Sequence, residues 1–472
     1  MNQNNILLSK YKEIPQRELN QIVYPTGKIE TPFGKKQVIY ADFIASGRPS
    51  PVIEKYIVKN VYSKYSNTHS NAANGICMKN EIENVKRVIK SEYNIDDTYE
   101  VLFKGSGVTG AINYLIDCMD FKKFAQVFIF ISTYEHYSNH LPWIELTKEH
   151  KHIKLAVIPL NRANKLDVAW YEARLKEITG ARARGKTLII TSIIHCSNLT
   201  GYFTPIHEIK KVMDRSKSAG AVEKYLFSDM ACSAPYVKID GSVFDAFFIS
   251  PHKFVGGVET PGILVAKTCL FQKDHSSNPG GSCIKKTRYN HIEYSDDIEI
   301  RENAGTPNIV GIIKIGQCLL LKRELQDLIS HNEEILYKTA DKWAAFFARN
   351  YKTFFYINYR NSPERLSIFT FHVTNLHYNF IVVLLNDLYG IQSRGGISCD
   401  GLFNDYVKDR YGGKTGFCRV SLHWTMTRKN VRDIFAAIEY VIKNGEKYLP
   451  FYKYDADKNL WFFARAPNCV IK

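Results

Sequence analysis

Seven short apolar runs between residues 99 and 267, separated by helical or turn-rich stretches, constrain this chain more than any other feature. They are YEVLF (99–103), QVFIFIS (126–132), LAVIPL (155–160), KTLIITSII (186–194), KYLFSDM (224–230), DAFFIS (245–250) and GILVAK (262–267). Runs this short and this apolar are buried on both faces, which argues for a mostly parallel sheet covered by helices. Ahead of them NEIENVKRVIKSEYN (80–94) sets Ile82, Val85, Val88 and Ile89 at helical spacing. Behind them runs a long helical pattern, NIVGIIKIGQCLLLKREL (308–325), and then the pattern changes. RLSIFTFHV (365–373), a helix near 377–389, FCRVSL (417–422) and a helix near 430–448 read as a smaller α+β domain. The expected organisation is an N-terminal segment (1–40), a large α/β domain (41–325) and a small C-terminal domain (326–472), with the boundary between 325 and 350.

A chain of 472 residues, 45% hydrophobic, can bury cores of that size twice. Its net charge of +16 is scattered rather than clustered. KEHKHIK (148–154) and ARARGK (181–186) are short and lie beside ordinary strand and helix patterns, so a solvated lysine-rich surface is expected and a nucleic-acid partner is not. The ten cysteines follow no framework spacing, which suits reduced thiols in a cytoplasmic compartment. The N-terminus lacks a signal-peptide pattern, and no run approaches the roughly 18 apolar residues of a membrane span.

In open α/β sheets ligands bind at the carboxyl ends of strands, so the residues just after each run are informative. KGSGVTGAIN (104–113) is a glycine-rich turn opening a helix, either a plain turn or a phosphate cradle. TYEHYSNHLPW (133–143) places His136 and His140 after the next strand, as structural or functional histidines. HCSNLTG (195–201) offers Asn198 and Thr200, which equally suit loop capping. FSDMACSAP (227–235) ends a strand on Asp229, and ISPHKFVGG (249–257) ends one on Lys253. Taken singly, each has an ordinary structural explanation. Pyridoxal phosphate accounts for them jointly: it needs a lysine for its aldehyde, an acid for its ring nitrogen, a phosphate cradle and a flat group over the ring. Lys253, Asp229, the 105–110 loop (with Gly107 and Val108) together with Ser250 and His252, and His136 meet those needs in turn. No metal site is expected.

ADFIASGRP, YSNTHS, GSGVTGAIN, YEHYSNHLPW, HCSNLTG, SDMACSAP, SPHKFVGGVETPGIL, ENAGTP, SRGGISC and CRVSL follow in an order that resembles the blocks of class V aminotransferase-like enzymes, over about residues 40–425. That group contains the cysteine desulfurases and selenocysteine lyases. The resemblance implies a pyridoxal phosphate-dependent transferase fold of type I: a large domain with a mostly parallel seven-stranded sheet sandwiched by helices, plus a smaller α+β C-terminal domain, in a homodimer. It matches Lys253 to the Schiff-base lysine, Asp229 to the ring-nitrogen partner and His136 to the stacking histidine. Thr109, Ser250 and His252 match phosphate-binding positions, as does Thr306, which relatives contribute to the neighbouring subunit's phosphate. Asn198 and Arg419 match the groups that hold a substrate carboxylate, a task suited to a guanidinium fork.

SRGGISCDG (393–401) bears on the reaction. Desulfurases that this chain resembles present their nucleophilic thiol in an Arg-x-Gly-x-x-Cys stretch, and Arg394, Gly396 and Cys399 fit it. The implied reaction cleaves the carbon–sulfur bond of L-cysteine, giving alanine and a persulfide on Cys399 that a sulfur-acceptor protein takes up. Two features depart from the pattern. Asp400 follows the thiol and is expected to oppose the thiolate. Cys232 stands where many relatives carry a glutamine near the cofactor's ring oxygen, and a thiol is a poor donor. An aminotransferase or another lyase that leaves Cys399 unused is the alternative, and a non-enzymatic basic binding protein the remote one.

Overall fold

The computed structural model describes residues 7–181, 185–216, 221–289, 291–357, 365–411 and 416–464. The first six residues, the middle of ARARGK (182–184) and the end of the tail NLWFFARAPN (465–468) lie outside them. The chain divides into two compact units. One comprises 47–196 and 204–326; the other comprises 1–46, 197–203 and 327–472.

The first unit is built on a seven-stranded sheet. Its strands are β1 (Tyr99–Lys104), β2 (Gln126–Ser132), β3 (Ile153–Ile158), β4 (Thr187–Ile194), β5 (Val222–Asp229), β6 (Ala246–Ile249) and β7 (Gly262–Lys267), in spatial order 1-7-6-5-4-2-3. Only β7 runs against its neighbours, β1 and β6. The carboxyl ends of the other six therefore share one edge. All eight residues of β4 are buried, as a strand with helices on both faces requires. The β3 run begins two residues earlier than LAVIPL and stops before Pro159, which has no N–H for the ladder. Helices α1 (Ala73–Glu92), α2 (Gly107–Cys118), α3 (Tyr137–Glu149), α4 (Val168–Gly180) and α5 (Ile206–Arg215) belong to this unit.

The expected helix end at 325 is corrected. Helix α6 runs from Ile309 to Asn350, and the division between units falls within it. Residues 326–350 contain no Gly or Pro, and the apolar spacing continues through the buried Ile329, Leu336, Ala340, Ala344 and Phe347.

The second unit carries an antiparallel sheet of β8 (Phe354–Tyr356), β9 (Ile368–Val373), β10 (Arg394–Gly396) and β11 (Phe417–Ser421), in order 8-9-11-10. Helices α7 (Tyr378–Tyr389), α8 (Gly401–Tyr411) and α9 (Arg428–Asn444) accompany it. A Thr427–Asn430 capping box starts α9, which buries Val431, Ile434, Phe435, Ile438 and Val441 along one face. Residues 39–40 pair in parallel with 391–392, and Ser421 donates its N–H to the Ala41 carbonyl at 2.7 Å. The N-terminal segment is thereby registered against residues 391–392 and β11, which fixes the position of Asp42. Among the described residues no helix is long and apolar enough to cross a membrane, and the nine described cysteines are free thiols.

Candidate active site

The sequence-selected residues fall into two groups, one in each unit. In the sheet-bearing unit, strand ends β1, β2, β5 and β6 deliver the glycine loop, His136, Asp229 and Lys253 to the shared edge. Ser250, 4% exposed, accepts the Val108 N–H on its Oγ at 2.9 Å. Gly107 has φ +60°, and a Cβ there would sit 2.6 Å from Ser250 Oγ and 2.8 Å from His252 Cε1. The first turn of α2 thus closes on the β6 loop only because residue 107 has no side chain. What results is a helix start set against a hydroxyl, an arrangement that favours a phosphate.

His136 caps α3. Its Nδ1 accepts the Ser138 N–H at 3.1 Å, and a backbone N–H can only donate, so the neutral ring carries its proton on Nε2. Ser138 Oγ lies 2.9 Å from the same Nδ1 and 2.6 Å from Thr109 Oγ1, linking His136 to the glycine loop. His140, one turn on, is buried, and Thr200 caps its own loop by accepting the Tyr202 N–H at 3.2 Å.

Asp229 is 1% exposed and accepts the Ala231 N–H at 2.8 Å. Burial pushes its carboxyl up to about 6, partly offset by that hydrogen bond and by the charge of Lys253. Burial, with the Lys253 charge adding to it, pushes His252 down to about 4. Lys253 is itself half-buried, and Cys232 is buried three residues beyond Asp229. Thr306 is exposed and accepts a hydrogen bond from Asn67 Nδ2 at 3.0 Å.

Glu135 was not singled out by the sequence. It is fully buried, takes hydrogen bonds from Ser132 Oγ (2.6 Å), Ile194 N–H (2.8 Å) and Asn139 Nδ2 (2.7 Å), and burial raises its carboxyl to about 8. These bonds fix the turn that carries His136. Proximity to His136 in the sequence was the one available signal.

In the other unit Arg419, on β11 and 2% exposed, donates from Nη1 to the Asn198 carbonyl at 3.0 Å and from Nη2 to Asp42 Oδ1 at 2.9 Å. The second oxygen of Asp42 pairs with Arg394 Nε at 3.1 Å. Asp42, absent from the sequence selection, therefore bridges both arginines. Asn198 Nδ2 donates to the Ser398 carbonyl at 2.9 Å, while Asn198 Oδ1 and Arg419 Nε are buried with no hydrogen-bond partner among the described residues.

Cys399 is exposed on a tight turn closed by Asp400 N–H to the Ile397 carbonyl at 3.0 Å. Both central residues lie in the left-handed region, Ser398 at φ +50° and Cys399 at φ +59°. Two successive non-glycine residues there store strain of order 1–3 kcal/mol each and persist only where surroundings hold them. The Asp400 side chain is buried and accepts the Phe403 N–H at 3.1 Å, so it serves as the cap of α8.

The aminotransferase class-V family model matches residues 39–434, and the chain belongs to that family. It is 27% identical over 425 residues to a probable cysteine desulfurase of Borreliella burgdorferi, covering 87% of this chain and 93% of that one. It is 26% identical to a cysteine desulfurase of Wigglesworthia glossinidia brevipalpis, covering 84% and 93%. Among solved structures, apo cysteine desulfurase from Thermococcus onnurineus NA1 superposes with a TM-score of 0.74 at 19% identity, over 92% of this chain and 100% of that one. A cysteine desulfurase of Escherichia coli gives 0.68 at 19% identity over 86% and 94%. The fold is that of the type I pyridoxal phosphate-dependent transferases.

Proposed function

We propose that this protein is a pyridoxal phosphate-dependent cysteine desulfurase, releasing alanine from L-cysteine and holding the sulfur as a persulfide on Cys399. The donor set fits the cofactor. The glycine cradle, with Ser250 and His252 against Gly107, suits a phosphate, and Asp229 is a buried carboxylate short of positive charge that a protonated ring nitrogen would complement. Once bound, pyridoxal phosphate supplies an aldehyde for the amino group and an electron sink for bond cleavage at Cα. Lys253 holds the cofactor and, when its Nζ is free, takes the Cα proton and returns one to the product. His136 covers the ring, oriented by Ser138 and Glu135. Arg419 and Asn198 hold the substrate carboxylate. Cys399 Sγ, as thiolate, attacks the substrate sulfur, the C–S bond breaks with its electron pair going to carbon, and alanine leaves after protonation.

The observation that carries the choice of desulfurase is the Cys399 turn, bonded through Ser398 to the asparagine whose own carbonyl holds Arg419. A thiol on a turn bonded to a carboxylate-binding pair has a use in sulfur abstraction and none in amino transfer. The same reading makes the protein a cytoplasmic homodimer in which exposed Thr306 serves the partner's phosphate, and in which an acceptor protein collects the persulfide. Incubating the holoprotein with L-cysteine should give equimolar alanine and sulfide under reductant, and Cys399→Ser should abolish both. Amino transfer to a keto acid that survives Cys399→Ser would overturn the proposal.

A further inference from the structure

The YSNTHS stretch (65–70) grips the loop that carries Thr306. His69 Nε2 donates to the Gly305 carbonyl at 3.2 Å, while the Gly305 N–H donates to the Gly281 carbonyl at 2.8 Å. Gly305 lies at φ +78°, and the backbone just before Thr306 is thus fixed by bonds to two separate segments.

Asn67 acts on the Thr306 side chain itself. Its Oδ1 accepts the His69 N–H at 2.8 Å. A backbone N–H can only donate, so the amide orientation is settled and the group 3.0 Å from Thr306 Oγ1 is the NH2. Whichever of the two amide protons is used, Thr306 Oγ1 accepts it. The threonine's own proton therefore cannot point at Asn67, and it has no acceptor among the described residues. A hydroxyl that accepts one hydrogen bond is polarised into a stronger donor of the next. The exposed Thr306 hydroxyl is in this way preset to donate, which suits a ligand group that offers acceptor oxygens, as a phosphate does.

We propose that Asn67 is a positioning residue for the cofactor phosphate, acting through Thr306, whose hydroxyl it holds as a donor. The proposal rests on the reading that Thr306 serves a phosphate, and it names the residue that gives that hydroxyl the required polarity.

The test is a titration of the full-length apoprotein with pyridoxal phosphate, followed by near-visible absorption and repeated with pyridoxal, which keeps the ring and aldehyde but lacks the phosphate. Thr306→Val should raise the Kd for pyridoxal phosphate about tenfold or more, the scale of one hydrogen bond to a charged group. Asn67→Ala should raise it about threefold, the low end for a neutral hydrogen bond, because both residues are exposed. With Thr306→Val already present, Asn67→Ala should add nothing, since the two act as one unit. The Kd for pyridoxal should stay at the wild-type value in all three variants. Where Thr306→Val weakens pyridoxal phosphate binding, the Asn67 role alone is overturned by an Asn67→Ala that leaves that Kd unchanged, that costs the same in the Thr306→Val background, or that weakens pyridoxal equally. An unchanged Kd in Thr306→Val removes Thr306 from the phosphate, so the underlying reading fails and Asn67 falls with it.

Discussion

The two groups of candidate residues are held in opposite ways. In the sheet-bearing unit the side chains stand at strand ends and helix starts, and most of their hydrogen bonds go to nearby backbone, as with Ser250 to Val108, Asp229 to Ala231 and His136 to Ser138. Its cost is electrostatic, because burial raises the carboxyls of both Asp229 and Glu135. In the other unit the charges are paired, Arg419 and Arg394 both on Asp42, and the cost is conformational, carried by two left-handed residues in succession. A pocket for a cofactor that stays bound tolerates a fixed charge deficit that the cofactor itself relieves. A thiol that must act and then hand on its sulfur is better served by a segment already poised to move.

The largest expected effect lies in the first group. Lys253→Ala should cut turnover roughly 10³-fold, within the range of a positioned proton-transfer group, and remove the near-visible absorption of the purified protein. Turnover within tenfold of wild type would dissolve the contrast by showing that this edge is not where chemistry occurs. Next comes the charge deficit. With Asp229 protonating near 6 when folded and near its ordinary 3.8 when unfolded, the folded state binds more protons between those values, so apoprotein stability falls as pH rises through that window. The two values differ by about 2 units, or roughly 3 kcal/mol. Asp229→Asn should therefore stabilise the apoprotein at pH 7 toward urea and flatten its profile between pH 4 and 6, while weakening cofactor retention. An apoprotein that Asp229→Asn destabilises at pH 7 would refute the electrostatic account.

The same contrast decides what could be read from the sequence. The sheet was legible because its strands are buried on both faces and announce themselves as unbroken apolar runs. The candidates in that unit could be picked out because most of them directly follow such a run. Ser138 and Glu135 escaped notice because one looks like an ordinary first-turn serine and the other like a surface acid, until burial of the 132–139 turn is known. Asp42 lies in the ADFIASGRP block, but its role was beyond reach, because its partners Arg394 and Arg419 lie 352 and 377 positions away. Asn198 to Ser398 spans 200 positions, so the residue was identifiable by resemblance but its hold on the thiol turn was not. Asp400 misled for a related reason, since sequence adjacency to Cys399 said nothing of a side chain turned inward to cap α8.

Two smaller effects sharpen the comparison in the second group. Arg419→Lys keeps the charge but loses the planar fork that bonds Asn198 and Asp42 together, so KM for L-cysteine should rise about tenfold with a smaller change in kcat. A purely structural arginine would lower both kcat and stability without that split.

Asp42→Asn tests whether pairing or orientation matters more. The amide Oδ1 still accepts from Arg419 Nη2, so the guanidinium keeps its direction, but a buried cation loses its counter-charge. Two consequences follow with opposite signs. The folded protein should lose about 3–5 kcal/mol, measured by urea denaturation, because the charge left unpaired is desolvated. A substrate carboxylate arriving at the same guanidinium now supplies the missing charge and meets no competing anion, so KM should fall about threefold. Asp42→Ala removes the acceptor as well as the charge and should raise KM instead. If both variants raise KM alike, Asp42 acts only by orienting Arg419; if both lower it, the acid is a competitor and the orientation comes from the Asn198 carbonyl alone.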